Sequence, residues 1–294
     1  MRPEYSLALG VGIALAGLTP TGELIKKSSR LLIQVCVVLL GAGMNLHELW
    51  QAGVTGLGFA FGTIVATFAL GTVLALWMRV DQKLATLVSS GTAICGGSAI
   101  AAVGSTIRAS STHMSVAIGV VFILNAIGLW VFPPLGHWLG LTPHQFGVWC
   151  AVAIHDVSSV VGAATKYGDE ALRVATAVKL SRTLWIVPVA LVAAWFFRST
   201  DPADKGRAKL PVPWFIVLFI FASVIGTMFE PIARLAPDIT ALSKRGMCVA
   251  LFLVGLGLNR KALASVGSRP LLLAVILWVY ISVLALAAVR WTIH

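Results

Sequence analysis

The sequence predicts an all-α, polytopic membrane protein. Of its 294 residues, 58% are hydrophobic and 11% are charged, whereas soluble globular domains carry roughly 25% charged residues. A membrane-spanning helix needs about 20 mostly apolar residues, so the chain has room for about ten such segments and for no soluble catalytic domain. The net charge of +11 falls mainly in short loops. Membrane topology and anionic lipid headgroups explain that placement better than nucleic acid does.

Apolar runs between clusters of charge define the segments of a single transmembrane domain over residues 1–294. The longest polar gap, 198–209, is interpreted as a loop rather than a domain linker. The four cysteines show no paired short spacing, so neither a disulfide framework nor a zinc site is indicated. The ten predicted segments are 5–18, 31–46, 54–78, 84–107, 115–135, 145–165, 176–197, 211–229, 242–258 and 268–291.

An internal repeat links the second and ninth segments. Leu-Leu-Gly-Ala-Gly-Met-Asn at 39–45 matches Leu-Val-Gly-Leu-Gly-Leu-Asn at 253–259, and a further apolar segment follows each copy. The two segments are an odd number of spans apart, so they should cross the bilayer in opposite directions. The sequence therefore predicts an inverted repeat with copies around 31–78 and 242–291.

The fourth segment, 84–107, carries glycine and hydroxyl residues where an uninterrupted helix would have Leu, Ile and Ala. A break at membrane depth is tolerated only where protein or a watery cavity surrounds it, so the cluster indicates a site. The positive N-terminus of a half-helix there would attract an anion. Glycines would let a substrate oxygen approach the backbone amides, and hydroxyls would add donors, although small residues also favour close helix packing. The candidate substrate-binding residues are Ser90, Thr92, Cys95, Gly96, Gly97 and Ser98.

The sixth segment, 145–165, is interrupted by His155 and Asp156, followed by the candidate binding hydroxyls Ser158 and Ser159. An aspartate at that depth costs about 2.5–3.5 kcal/mol on insertion scales, which indicates a pairing or a function. The pair is a candidate for proton coupling, because histidine titrates near neutrality and burial can raise the pKa of an aspartate. The alternative is a structural pair that caps a broken helix.

A weak echo relates the two interrupted segments. Ile-Cys-Gly-Gly-Ser at 94–98 aligns with Ile-His-Asp-Val-Ser at 154–158. The two segments could be discontinuous helices that cross the membrane. Alternatively, they could be re-entrant hairpins that enter from opposite faces. The sequence leaves both possibilities open.

Lys179 and Arg182 are three residues apart and share a helix face. They are candidates for an anion clamp, because arginine forks suit oxyanions and lysine supplies a mobile point charge. Interfacial snorkelling is the alternative. No enzyme motif occurs, and His155 with Asp156 does not make a metal site. We therefore predict neither an enzyme nor a cofactor.

The residues 91–99, 152–157, Lys179 with Arg182, 255–258 and 269–272 together resemble the YeiH-type family of proposed sulfate exporters. The similarity extends over most of the chain from Leu31 onward. Asp156 stands where family members often have Glu, and the N-terminus is expected to lie one helix short of the family pattern.

The resemblance implies a multi-pass secondary transporter of the bacterial inner membrane that moves small sulfur oxyanions outward. It further implies a fold related to bile-acid symporters and sodium/proton antiporters, alternating access, and a homodimer formed through the scaffold. Coupling to protons is the first expectation. A sodium-coupled organic-anion symporter and a passive anion channel are the alternatives. The anion, the coupling ion and the direction of flux are not defined by the sequence.

Overall fold

The computed structural model describes residues 3–17, 23–197, 214–257 and 267–293. All regular elements in these ranges are helices, which confirms the predicted all-α class. The polar gap at 198–209 and the end of the second repeat motif, 258–259, lie outside the described residues. The helices are α1 Pro3–Leu15, α2 Glu23–Ala42, α3 Leu46–Met78, α4 Gln82–Ala93, α5 Gly97–Thr106, α6 Ser111–Trp138, α7 Pro143–Ala153, α8 Val157–Tyr167, α9 Asp169–Thr183, α10 Ile186–Phe196, α11 Trp214–Met228, α12 Glu230–Leu256 and α13 Ser268–Thr292.

Polar caps fix where several of these helices begin. The side chain of Asp81 accepts hydrogen bonds from the backbone at the start of α4, and Ser110 does the same for α6. Thr142 and Gln145 form a reciprocal capping box at α7, which also has Pro143 in its first turn. Such caps satisfy amides that have no partner within the helix.

Five stretches in the described part of the chain are long and apolar enough to cross a membrane: Leu49–Met78, Ser111–Trp138, Asp169–Phe196, Glu230–Leu256 and Ser268–Thr292. Two further apolar helices, Pro3–Leu15 and Trp214–Met228, are shorter. Large apolar side chains such as Trp77, Phe221 and Val283 are exposed on their surfaces, as suits contact with lipid. The count of about ten segments remains a prediction.

The predicted interruption of segment 84–107 falls at residues 94–96, between α4 and α5. The two helices fold back on each other. Gly91 lies against Ile100, and Gly104 lies against Leu87. At the open end, Lys83 Nζ donates to the carbonyl of Arg108 at 3.4 Å. We call the unit α4–α5 the first hairpin.

The second interrupted segment has the same form, with its break at residues 154–156 between α7 and α8. The Cys150 thiol faces the carbonyl of Val160 at 3.8 Å. At the open end, the Tyr167 hydroxyl donates to the Leu141 carbonyl at 2.7 Å, and the Tyr167 ring stacks on Phe146. This unit, the second hairpin, returns to the end from which it started.

Helix α6 shows how the two hairpins are placed. Its 28 residues make it about 42 Å long. The open end of the first hairpin adjoins its N-terminus, where His113 approaches Asp81 at 3.6 Å. The open end of the second hairpin adjoins its C-terminus, where His137 stacks on Tyr167. The hairpins therefore start from opposite ends of α6. In each, the second half-helix returns towards the start of the first, as the hairpin alternative expects, while re-entrance into a membrane remains a prediction.

Candidate functional site at the hairpin tips

The tips of the two hairpins meet near the middle of the molecule. Gly96 has φ +68°, and a Cβ placed there would lie 3.6 Å from the backbone carbon and oxygen of His155 and 3.3 Å from a methyl group of Val121 in α6. Glycine is required because few other residues adopt this backbone conformation and because the second tip approaches so closely. The glycine and His-Asp motifs that the sequence singled out are therefore brought together.

Asn125, at the centre of α6, fixes the second tip. Its side-chain oxygen accepts hydrogen bonds from the backbone amides of His155, at 3.0 Å, and Asp156, at 3.2 Å. Asn125 was not among the residues predicted from the sequence. Its signal was present, because an amide side chain in a strongly apolar helix needs a partner.

Lys179 is fully buried and donates hydrogen bonds to backbone carbonyls at the end of α7. Its ammonium group donates to the carbonyls of Ala151, at 3.1 Å, and Ile154, at 2.7 Å. The indole of Trp278 in α13 donates to the adjacent Ala153 carbonyl at 3.0 Å. The last carbonyls of a helix carry about half a negative charge, which a cation stabilises.

Arg182 does the same for the first hairpin. One of its terminal nitrogens donates to the carbonyl of Ala93, the last residue of α4, and the other donates to the Thr63 hydroxyl of α3 at 3.0 Å. Arg182 is also fully buried, so interfacial snorkelling does not describe either cation. Lys179 and Arg182 of α9 thus each bind the C-terminal end of one half-helix.

The N-terminal ends of the returning half-helices differ. At α8, the Asp156 carboxylate accepts from the Ser158 amide at 3.0 Å and from the Ser158 hydroxyl. At α5, the N-cap is Gly96 and no side chain of the cap accepts a hydrogen bond. The thiol of Cys95 faces the Ala99 amide, and among the described residues no oxygen is found that caps the first two amides of α5.

The α5 N-terminus is also the accessible side of the tips. Ser98 is exposed, and Gly97 and Asp156 are half-buried, whereas Ser90 and Ser159 are buried. The Ser90 hydroxyl donates to the carbonyl of Leu87 in its own helix at 2.9 Å. Of the predicted hydroxyl donors, Ser98 is therefore the one best placed to meet a ligand.

Several buried polar atoms around the tips have no hydrogen-bond partner among the described residues. Both ring nitrogens of His155, the Thr92 hydroxyl, the Asn125 side-chain nitrogen and Nε of Arg182 belong to this set. Buried polar groups are normally paired, and an unpaired one costs about 1–3 kcal/mol. Such a cluster of unpaired polar atoms is typical of a site that binds a polar ligand.

Two neighbouring cavities lie beside the start of α9. Their volumes are about 350 and about 400 Å³. Met44 and Arg173 line both cavities, and the larger one reaches Thr176, one helical turn before Lys179. The larger cavity therefore comes within one helical turn, along α9, of a residue that binds the second hairpin tip.

Comparison with other proteins gives the family. Residues 7–274 match the family model described as Conserved hypothetical protein 698. The chain belongs to this family. A member from Bacteroides thetaiotaomicron, a UPF0324 membrane protein, is 44% identical over 289 residues, covering 98% of this chain and 86% of the relative. A UPF0324 membrane protein from Porphyromonas gingivalis is 44% identical over 298 residues, with 98% and 86% covered.

A third member of the Conserved hypothetical protein 698 family, the UPF0324 membrane protein VP0936 of Vibrio parahaemolyticus, is 42% identical over 283 residues, with 96% of this chain and 91% of the relative covered. No solved structure matches the chain. The relatives are bacterial membrane proteins by name, in agreement with the predicted membrane class. The YeiH-type assignment is compatible with this family, while sulfate export and the relation to bile-acid symporters remain predictions.

Proposed function

We propose that this protein is a secondary active transporter that exports a small sulfur oxyanion, of the sulfate or sulfite class, across the bacterial inner membrane. The observation that carries the proposal is the uncapped N-terminus of α5, which lies beside two buried cations where the hairpin tips meet. Backbone amides at a helix N-terminus bind oxyanions, and irregular backbone at membrane depth is typical of transport sites.

The proposed topology has eight crossings and two re-entrant hairpins from opposite faces. The crossings are α1, α2, α3, α6, α9 with α10, α11, α12 and α13. This arrangement replaces the ten spans expected from the sequence and keeps the inverted copies around 31–78 and 242–291. It is supported by the antiparallel packing of α2 on α12. Gly43 lies against Ala236 and Thr240, whereas Cys36, earlier in α2, accepts from Ser243, later in α12, at 2.6 Å.

Alternating access would move one group of helices against another. The first group is α1, α2, α11 and α12, which pack mainly on one another, and the second contains the hairpins with α3, α6 and α9. Two ion pairs bridge the groups: Lys244 with Asp169 at 2.6 Å, and Lys166 with Glu4 at 3.2 Å. A further hydrogen bond between the groups runs from the Leu46 amide of α3 to the Thr227 hydroxyl of α11 at 3.1 Å. A homodimer formed by the first group completes the proposal.

Asp156 and His155 would carry the coupling proton. The Asp156 carboxylate is half-buried at the cap of α8, and both nitrogens of the buried His155 ring are free of hydrogen bonds among the described residues. Protonation of Asp156 would weaken its cap and change the net charge beside the substrate. Substrate binding and proton binding would then influence each other.

The test is flux of ³⁵S-labelled sulfate and sulfite in proteoliposomes under an imposed pH gradient. We expect saturable uphill transport that follows the proton gradient in wild-type protein. In Asp156→Asn, which keeps an oxygen for the cap, we expect transport to lose its response to the gradient. Asp81→Asn makes the same substitution at an exposed helix cap far from the tips and should transport normally.

Three results would point elsewhere. Flux that never exceeds equilibrium and does not saturate would indicate a passive channel. Transport of organic anions that requires sodium would indicate a symporter. A pH response that persists unchanged in Asp156→Asn would remove the proposed coupling role.

A further inference from the structure

The two hairpins share one plan at their tips. Outgoing helices end at residues 93 and 153, returning helices begin at residues 97 and 157, and the N-caps are Gly96 and Asp156. All three pairs of positions are sixty residues apart. The structure thus aligns the two tips at the same offset as the weak sequence echo.

The two tips differ in one functional group. At the second tip, the Asp156 carboxylate provides the oxygen that caps α8. At the first tip, the equivalent Gly96 has no side chain, and the start of α5 is accessible through Gly97 and Ser98. We propose that the substrate supplies the missing anionic oxygen, so that the site selects anions with a single negative charge over dianions.

The charges around the tips also indicate a ligand with one negative charge. Lys179 and Arg182 contribute two positive charges, and Asp156 contributes one negative charge. Among the described residues, Cys95, Cys150 and His155 also interact electrostatically with these groups. With both basic side chains protonated and these three groups neutral, one further negative charge balances the site. A second would be buried without a partner, and an unpaired buried charge is strongly unfavourable.

A second feature indicates that a ligand binds at the start of α5. Both ring nitrogens of His155 and the Thr92 hydroxyl are completely buried. These atoms have no hydrogen-bond partner among the described residues. A neutral imidazole offers one donor and one acceptor. The His155 backbone lies 3.6 Å from a Cβ placed at Gly96, so in this proposal these groups would hydrogen-bond the remaining oxygens of the oxyanion, including a protonated one such as hydrogensulfite.

This inference rests on the proposed function, and within the sulfate or sulfite class it favours the monoanion hydrogensulfite over the sulfate dianion. It is tested by binding at one fixed pH. Methanesulfonate and sulfate share a tetrahedral sulfur centre and differ by a methyl group in place of one charged oxygen. Isothermal titration calorimetry on the purified full chain in nanodiscs should show methanesulfonate binding at least about tenfold more tightly than sulfate, a difference of about 1.4 kcal/mol.

The charge argument also predicts a switch. Asp156→Asn preserves a capping oxygen but leaves two uncompensated positive charges, so the preference should move towards sulfate by about tenfold or more. Asp81→Asn should keep the wild-type preference. A circular dichroism melt of each variant shows whether its fold is retained.

The outcomes separate the two proposals. Sulfate binding as tightly as methanesulfonate in the wild type, or an unchanged preference in folded Asp156→Asn, overturns the selection for monoanions and leaves anion transport standing. If neither anion binds, and formate and nitrate do not bind either, both the monoanion site and the proposed function are wrong.

Discussion

At the residue scale, three polar side chains hold the tips together, and each satisfies backbone groups that a broken helix leaves unpaired. Asn125 accepts from two amides of the second tip, while Lys179 and Arg182 donate to the carbonyls that end α7 and α4. In the interior of a membrane protein no solvent can replace these partners. The cost of the breaks is thus offset by a few identifiable hydrogen bonds.

Replacing Asn125 with leucine tests this support. The variant keeps the volume of the side chain but leaves the amides of His155 and Asp156 without an acceptor. We expect the free energy of unfolding to fall by about 2 kcal/mol or more, measured by denaturant titration in detergent. Thr67→Val is the control, because the Thr67 hydroxyl donates to the Thr63 carbonyl of its own helix. Equal stability of the two variants would contradict the role of Asn125.

Lys179→Met should be costly for the corresponding reason. Methionine has a similar length but leaves the carbonyls of Ala151 and Ile154 without this donor, so we expect a loss of about 2–4 kcal/mol in stability. Lys244→Met removes an ammonium group from an exposed ion pair and should cost about 1 kcal/mol at most. Thermal unfolding followed by circular dichroism compares them. If Lys244→Met proves the more damaging variant, Lys179 does not stabilise the tip as described.

At the element scale, composition predicted where helices break but not how the broken pieces run. Glycines and an aspartate in apolar segments weaken a helix locally, which placed both interruptions within the predicted segments. Whether the second half continues or returns depends on contacts such as Lys83 with Arg108 and Tyr167 with Leu141. These contacts join residues about 25 positions apart in the chain, so neither helical periodicity nor local composition records them.

Cross-linking distinguishes a hairpin from a crossing helix. In a variant without the native cysteines, Lys83→Cys and Ala109→Cys should be joined efficiently by a short bifunctional maleimide, because both lie at the open end of the first hairpin. The pair Lys83→Cys and Trp138→Cys should not be joined, since α6 separates its ends by about 42 Å. Cross-links are detected by electrophoretic mobility after proteolysis between the two sites. Joining of the Lys83→Cys and Trp138→Cys pair instead of the Lys83→Cys and Ala109→Cys pair would rule out the hairpin.

At the scale of the whole molecule, the hairpins approach from opposite ends and meet at the middle of α6. The sequence suggested this opposition only as one of two options, and the prediction of inverted copies depended on a short motif whose second copy ends outside the described residues. The charges of Lys179 and Arg182 were recognised from their spacing. Their carbonyl partners were not, because those partners lie on other helices.

The opposite placement predicts opposite accessibility in cells. Ala109→Cys and Trp138→Cys lie at the two ends of α6, so a membrane-impermeant maleimide added to intact cells should label only one of them. Basic residues accumulate on the cytoplasmic side of membrane proteins, and Arg79, Lys83 and Arg108 lie at the Ala109 end of α6, so we expect labelling of Trp138→Cys. Labelling of both positions, or of neither until the cells are opened, would contradict the proposed topology.

The central claim is that an anion binds at the start of α5, between the hairpin tips. The most direct measurement is the rate at which a water-soluble maleimide labels Ser98→Cys in a variant without the native cysteines, with and without methanesulfonate or sulfate. We expect a transported anion to slow labelling at Ser98→Cys and to leave Trp138→Cys unaffected. Labelling of Ser98→Cys that no anion slows, or that slows equally at both positions, would contradict an anion site at the tips.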